Sequence, residues 1–206
     1  MKTNQTPKLL FVLPWLLAFS VALIPAHLVA SGVAQQTPAT APPVLTPQEK
    51  KIVAAFNRHV KDYIKQRDLA RKKLPALSKE ATPEQIEAYQ KSFVERLRGM
   101  RAGTKQGYIF KPDFTEYVRT TIKTEFPPRD KAEIMQTILE ADTKGVPLKV
   151  NYPFPESKEL TQIPPTLLLK LPTLPKEVKF RFVGRHMLLV DTDSGLIVDY
   201  TLNALP

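Results

Sequence analysis

The spacing of apolar residues changes along this chain, and the changes divide it into a helical and an extended part. Ile52, Phe56, Tyr63, Ala70 and Leu74 fall on one helical face until Pro75 stops the run. Ahead of them Thr46-Pro47-Gln48-Glu49 is a capping box with proline at the first helical position, which predicts a first helix over 47–73. Thr82-Pro83-Glu84-Gln85 repeats the box, and Ile86, Tyr89, Phe93, Leu97 and Met100 form one stripe before Gly103. A connection of about eight residues favours antiparallel packing of this second helix on the first.

Gly103 and Gly107 mark a loop. Phe114, Val118 and Ile122 then predict a short third helix ending near Pro127-Pro128, and Asp130 can cap a fourth that carries Ile134 and Ile138. Past Gly145, prolines at 147, 153, 155, 164, 165, 172 and 175 break the chain into extended pieces, with one turn of helix over 166–170. Val178, Phe180 and Phe182 alternate with Lys179 and Arg181, Gly184-Arg185 separates this run from 186–190, and 191–195 separates that from 196–202. The pattern predicts a three-stranded antiparallel meander docked on the helices. The expected fold is α+β, a single domain over 47–206, helical over 47–142 and extended or β over 146–206.

The N-terminus reads as a targeting segment. Lys2 and Lys8 precede a charge-free run from Leu9 to Ala34, and Gly32-Val33-Ala34 offers the small residues that signal peptidase needs, so 1–34 reads as a signal peptide cleaved before Gln35. If it is retained, residues 9–30 would instead anchor the protein in the inner membrane. Residues 35–46, rich in Pro, Thr and Ala, read as a linker. Export without cysteine suits a bacterial periplasmic or secreted protein.

Composition narrows the chemistry. Twenty prolines against seven glycines disfavour a glycine-rich phosphate cradle, and the absence of cysteine excludes disulfides, thiol catalysis and cysteine-zinc sites. Loss of Lys2 and Lys8 with the leader takes the 30 basic residues to 28 against 20 acidic, net +8. The excess lies on the helices. On the first helix Arg58, Lys61, Lys65 and Lys72 lie opposite the apolar stripe with only Asp68 among them, a basic ridge suited to an anionic envelope surface or an acidic protein partner. Export, not charge, argues against nucleic acid, and membrane contact is expected only through an uncleaved leader.

Leu188-Leu189-Val190-Asp191-Thr192-Asp193-Ser194-Gly195 resembles an aspartic-protease loop. Such enzymes need a second carboxylate about 3 Å away from another lobe or chain, whereas Asp, Ser and Gly are also the residues a hairpin turn prefers. Asp191, Asp193 and Asp199 fail as a calcium loop, because Gly195 stands at the fifth loop position where an oxygen ligand is needed. His59 and His186 lack metal-ligand spacing, and His59 reads as a hydrogen-bonded residue at the boundary of the core. Met100, Met135 and Met187 read as isolated core residues. No catalytic residue, metal or cofactor is assigned.

FNRHVKDY at 56–63, KLP at 73–75, GTKQGYIF at 103–110, KVNYPFPE at 149–156 and the whole of 163–206 together resemble an uncharacterised family of exported bacterial proteins. FRFVGRHMLLVDTDSGLIVDY at 180–200 is also similar to the C-terminal β-unit of small periplasmic proteins of nickel and cobalt homeostasis, a likeness that implies periplasmic residence more than metal handling. Neither resemblance brings catalytic residues. The expected function is a non-enzymatic binding or accessory module of the cell envelope. The rival is a periplasmic hydrolase assembled from scattered residues such as Asp191, Asp193 and His186.

Overall fold

A computed structural model describes residues 45–155, 158 and 163–206; the expected leader and all but the last two residues of the linker lie outside them. Four helices come first, α1 (Pro47–Lys72), α2 (Pro83–Met100), α3 (Pro112–Glu125) and α4 (Pro128–Leu139), followed by the one-turn α5 (Pro165–Leu168). Strands β1 (Val178–Val183), β2 (His186–Asp191) and β3 (Ile197–Thr201) form an antiparallel sheet in that order, so the fold is α+β. No helix among the described residues is long and apolar enough to cross a membrane.

Both capping boxes form. The Thr46 hydroxyl accepts from the Glu49 amide while the Glu49 carboxylate accepts from the Thr46 amide at 2.7 Å, and Thr82 and Gln85 repeat the exchange. The fourth helix departs from expectation. It starts at Pro128 with Pro127 as its cap residue, which puts Asp130 inside the first turn rather than at the cap. There the carboxylate favours the positive end of the helix dipole without closing a capping hydrogen bond.

The sheet is covered on both faces. Phe180, Phe182, Met187, Leu189 and Val198 join the main core, where the Phe56 ring stacks on Phe114 with centroids 4.0 Å apart and lies 6.0 Å from Phe180. On the other face Val183, Leu188, Val190 and Ile197 pack under Val146 and Phe154. Burial on both faces explains the unbroken apolar run Met187–Val190, which one-sided alternation would not require.

The segment Asn151–Phe154 runs along the outer side of β3. The Asn151 amide donates to Ile197, the Ile197 amide to Tyr152 and the Phe154 amide to Gly195, each at 2.8 Å. Among the described residues no strand pairs with the outer side of β1, which is the open edge of the sheet.

Two apolar assignments fail. Ile86 and Met100, placed by spacing in the buried stripe of α2, are 44% and 39% exposed, and only Phe93 and Leu97 on that helix are buried. Spacing identifies an apolar face, but the partner that would cover it must come from elsewhere in the fold. Met187 is fully buried, as a core methionine should be.

Candidate functional site

The ridge predicted on α1 exists as an exposed surface. Arg58, Lys61, Lys65 and Lys72 are all exposed, on the side away from the buried Phe56, Val60 and Tyr63, and they span about 21 Å at 1.5 Å per residue. Asp68 is not their only acidic neighbour. Asp62, one turn before Lys65, accepts from its ammonium at 3.1 Å, so one of the four cations is partly neutralised.

The inner face of the same helix carries a polar centre that the sequence reading missed. Arg67 lies four residues after Tyr63 and three before Ala70, within the buried stripe, and is only 4% exposed. The Tyr63 hydroxyl donates to Asp191 Oδ2 at 2.7 Å, and Arg67 Nε donates to the same oxygen at 2.8 Å. Asp191 Oδ1 accepts from the amides of Asp193 at 3.0 Å and Ser194 at 2.7 Å and from the Ser194 hydroxyl at 2.9 Å. One buried carboxylate thus closes its own turn and fastens that turn to α1.

Asp193 completes the arrangement by accepting from Arg67 Nη2 and, at 2.7 Å, from Arg71 Nη2. The guanidinium groups of Arg71 and Arg67 lie over the buried Phe93 ring, 4.7 and 5.6 Å from its centroid, which brings α2 into the same cluster. Burial pushes Arg67 towards losing its proton, but Asp191 and Asp193 outweigh this and hold its pKa above the usual value. Burial also raises the pKa of Tyr63, and the Asp191 charge and hydrogen bond add to the effect, so Tyr63 stays a neutral donor.

Arg101 and Asp199 form a second polar centre. Arg101 is 2% exposed and donates from Nε to Asn151 Oδ1 and from Nη2 to the Val198 carbonyl, each at 2.8 Å, with its guanidinium 4.8 Å from the Tyr63 centroid. Among the described residues no carboxylate pairs with it directly, and burial lowers its pKa. Asp199 accepts from the amides of Gly107 at 2.9 Å, Ile109 at 2.6 Å, Phe110 at 2.9 Å and Tyr200 at 2.8 Å, which folds the 103–110 loop onto β3.

These contacts weigh against the hydrolase arrangement. His186 and Asp191 are the first and last residues of β2, about 17 Å apart along an extended strand. His186 Nδ1 accepts from the Asn203 amide at 3.1 Å, and Asp191 is sealed from solvent with both oxygens engaged. A catalytic carboxylate must reach its substrate, and this one cannot. His59 also differs from expectation: its ring lies edge-on with Tyr108, centroids 5.2 Å apart, but among the described residues its buried Nδ1 has no hydrogen-bond partner. Among the described residues no three His, Asp or Glu side chains converge as a metal site. Comparison with protein-family models, characterised proteins and solved structures finds no match to the chain.

Proposed function

We propose that this is an exported envelope protein, periplasmic or secreted after cleavage before Gln35, that acts as a non-enzymatic binding or accessory module. Arg58, Lys61, Lys65 and Lys72 are its contact surface for an anionic partner, either an envelope surface or an acidic protein. The observation that carries this reading is a division of labour on α1. The inward basic residue, Arg67, is consumed by carboxylates of the meander, whereas the four outward ones stay exposed on a helix pinned by those inner contacts. Because the helix backbone that carries the row is already ordered, binding an anionic surface costs only side-chain freedom.

Cosedimentation with anionic liposomes and with acidic envelope polymer tests the reading. The native protein should bind at low salt and detach as ionic strength rises, because the Debye length is about 8 Å at physiological salt. Lys61→Glu with Lys65→Glu should abolish binding while changing the melting curve little, since the only ion pair lost, Lys65–Asp62, is exposed. Binding that ignores both salt and charge reversal, or no binding by the native protein, would remove the ridge as a functional surface.

A further inference from the structure

The open edge of the sheet borders a groove. β1 faces the proline-rich segment 163–174 across a space of about 530 Å³, within the range of small-molecule sites. Ile163, Leu168, Leu174 and Phe180 give it apolar walls, and Lys179 and Arg181 stand on its strand side. Pro165 and Pro172 stiffen the opposite wall, so the cleft is preformed.

The two cations are half-buried. Among the described residues neither forms an ion pair, whereas Lys158 and Lys170, also partly shielded, and the buried Arg67 each meet a carboxylate. Arg101 has no carboxylate but is satisfied by the Asn151 side chain and the Val198 carbonyl. Arg181 donates from Nη1 to the Phe180 carbonyl at 3.1 Å, and its buried Nε has no partner. Burial lowers the pKa of both Lys179 and Arg181, and for Lys179 the neighbouring Arg181 charge adds to this. Like charges two residues apart on one strand, partly stripped of water and without a counter-ion, make a site that an anion would stabilise.

We propose that this groove binds a single-chain anionic amphiphile, its head group between Lys179 and Arg181 and its alkyl chain along Ile163, Leu168 and Leu174. An added peptide strand fits less well. The two-residue connection makes Val183–His186 a hydrogen-bonded pair, so by alternation Phe180 turns its carbonyl away from β2, where Arg181 already occupies it. Insertion into a membrane surface would instead use Leu169, 65% exposed but not part of the groove wall. The proposal goes beyond the ridge on α1 and does not depend on it.

The test titrates the purified full chain with decanoate below its micelle concentration, against decanol, by calorimetry and amide chemical shifts. Decanoate should saturate at one site per chain and bind roughly tenfold or more tightly than decanol, a difference of about 1.4 kcal/mol. Lys179→Gln with Arg181→Gln should remove that preference, while Leu168→Gln, an exposed position, should weaken both ligands without loss of fold. Lys61→Glu with Lys65→Glu should change neither. Absence of saturable binding, or equal binding of decanol that ignores the paired charge substitution, overturns the proposal. Binding to anionic vesicles alone, abolished by Leu169→Ser, would replace it with surface insertion, and binding of an acidic peptide alone would replace it with strand addition.

Discussion

Tyr63 on α1 and Asp191 at the end of β2, 128 residues apart, share a 2.7 Å hydrogen bond in which neither side chain has measurable exposure. Arg67 meets the same carboxylate oxygen, so one turn of helix supplies both a neutral and a charged donor to a single acceptor. In this setting the contacts are asymmetric: the complete set offsets its own desolvation, but removal of one member strands the others away from water.

Asp191→Asn should therefore destabilise the protein by about 1–3 kcal/mol, the cost of an unsatisfied buried group, because an amide replaces the acceptor facing Arg67 and Tyr63 while Arg67 keeps Asp193. Tyr63→Phe removes only a neutral donor and should cost about 1–3 kcal/mol. Urea unfolding at neutral pH reads both. Combining Arg67→Met with Asp191→Asn should cost clearly less than the two single changes summed, since the second removes a group already stranded. Additive losses would mean that Arg67 and Asp191 are not coupled.

Asp193→Asn separates two roles on one turn. Asp193 is 40% exposed, so solvent screens its pairs with Arg71 and Arg67, and Arg67 keeps Asp191; the change should cost about 1 kcal/mol or less at pH 7. Burial pushes the Asp193 carboxyl up, but the hydrogen bond from Arg71 and the charges of Arg67 and Arg71 hold it below its ordinary value of 3.8. A carboxylate with a lowered folded pKa contributes fully above its unfolded pKa, and the contribution disappears as pH falls through the folded one. The melting-temperature gap between wild type and Asp193→Asn should thus be constant above about pH 5 and close as pH falls below 4. A gap that widens on acidification would contradict the ion pair.

Much of the frame was readable because its signals are local. Thr46 and Thr82 sit three residues before the side chains that complete their caps, and the Asp191–Gly195 turn lies between two β-rich apolar runs. Arg67 was readable in principle, since its spacing from Tyr63 and Ala70 puts it inward. Charge argued for solvent, and its acceptor lies 124 residues away, where no local pattern points. Arg101 is harder still, because its stabilising partners are a side chain 50 residues on and a backbone carbonyl 97 residues on. Ile86 erred in the opposite direction, through a strong stripe without cover.

The meander should not be separable from the helices. Phe56 lies between rings from α3 and β1, and the two carboxylates that hydrogen-bond Arg67 both come from the 191–193 turn, Asp68 on its own helix standing farther off at 3.8 Å. Truncation after Pro175 would uncover Phe56 on its Phe180 side and leave Arg67 only the exposed Asp68, so the product should aggregate or lose its cooperative melt. A soluble fragment with a sharp transition, followed by near-ultraviolet dichroism, would show that the helices hold a core of their own.

Asp199 offers a test of how the 103–110 loop is held. Its two oxygens accept three loop amides, those of Gly107, Ile109 and Phe110, and Gly107 adopts a φ of +81° that favours glycine. Asn at this position keeps the shape but replaces one acceptor oxygen by a donor that faces N–H groups. Asp199→Asn should cost about 1–3 kcal/mol per stranded amide in the worst case, less where the loop lifts to find water. Amide exchange at Ile109 and Phe110 should accelerate well beyond that at Val60 in the middle of α1, because the loop opens locally before the helix core does. Equal acceleration at all three positions would mean that the loop opens only with the whole fold, and that Asp199 stabilises the core rather than the loop.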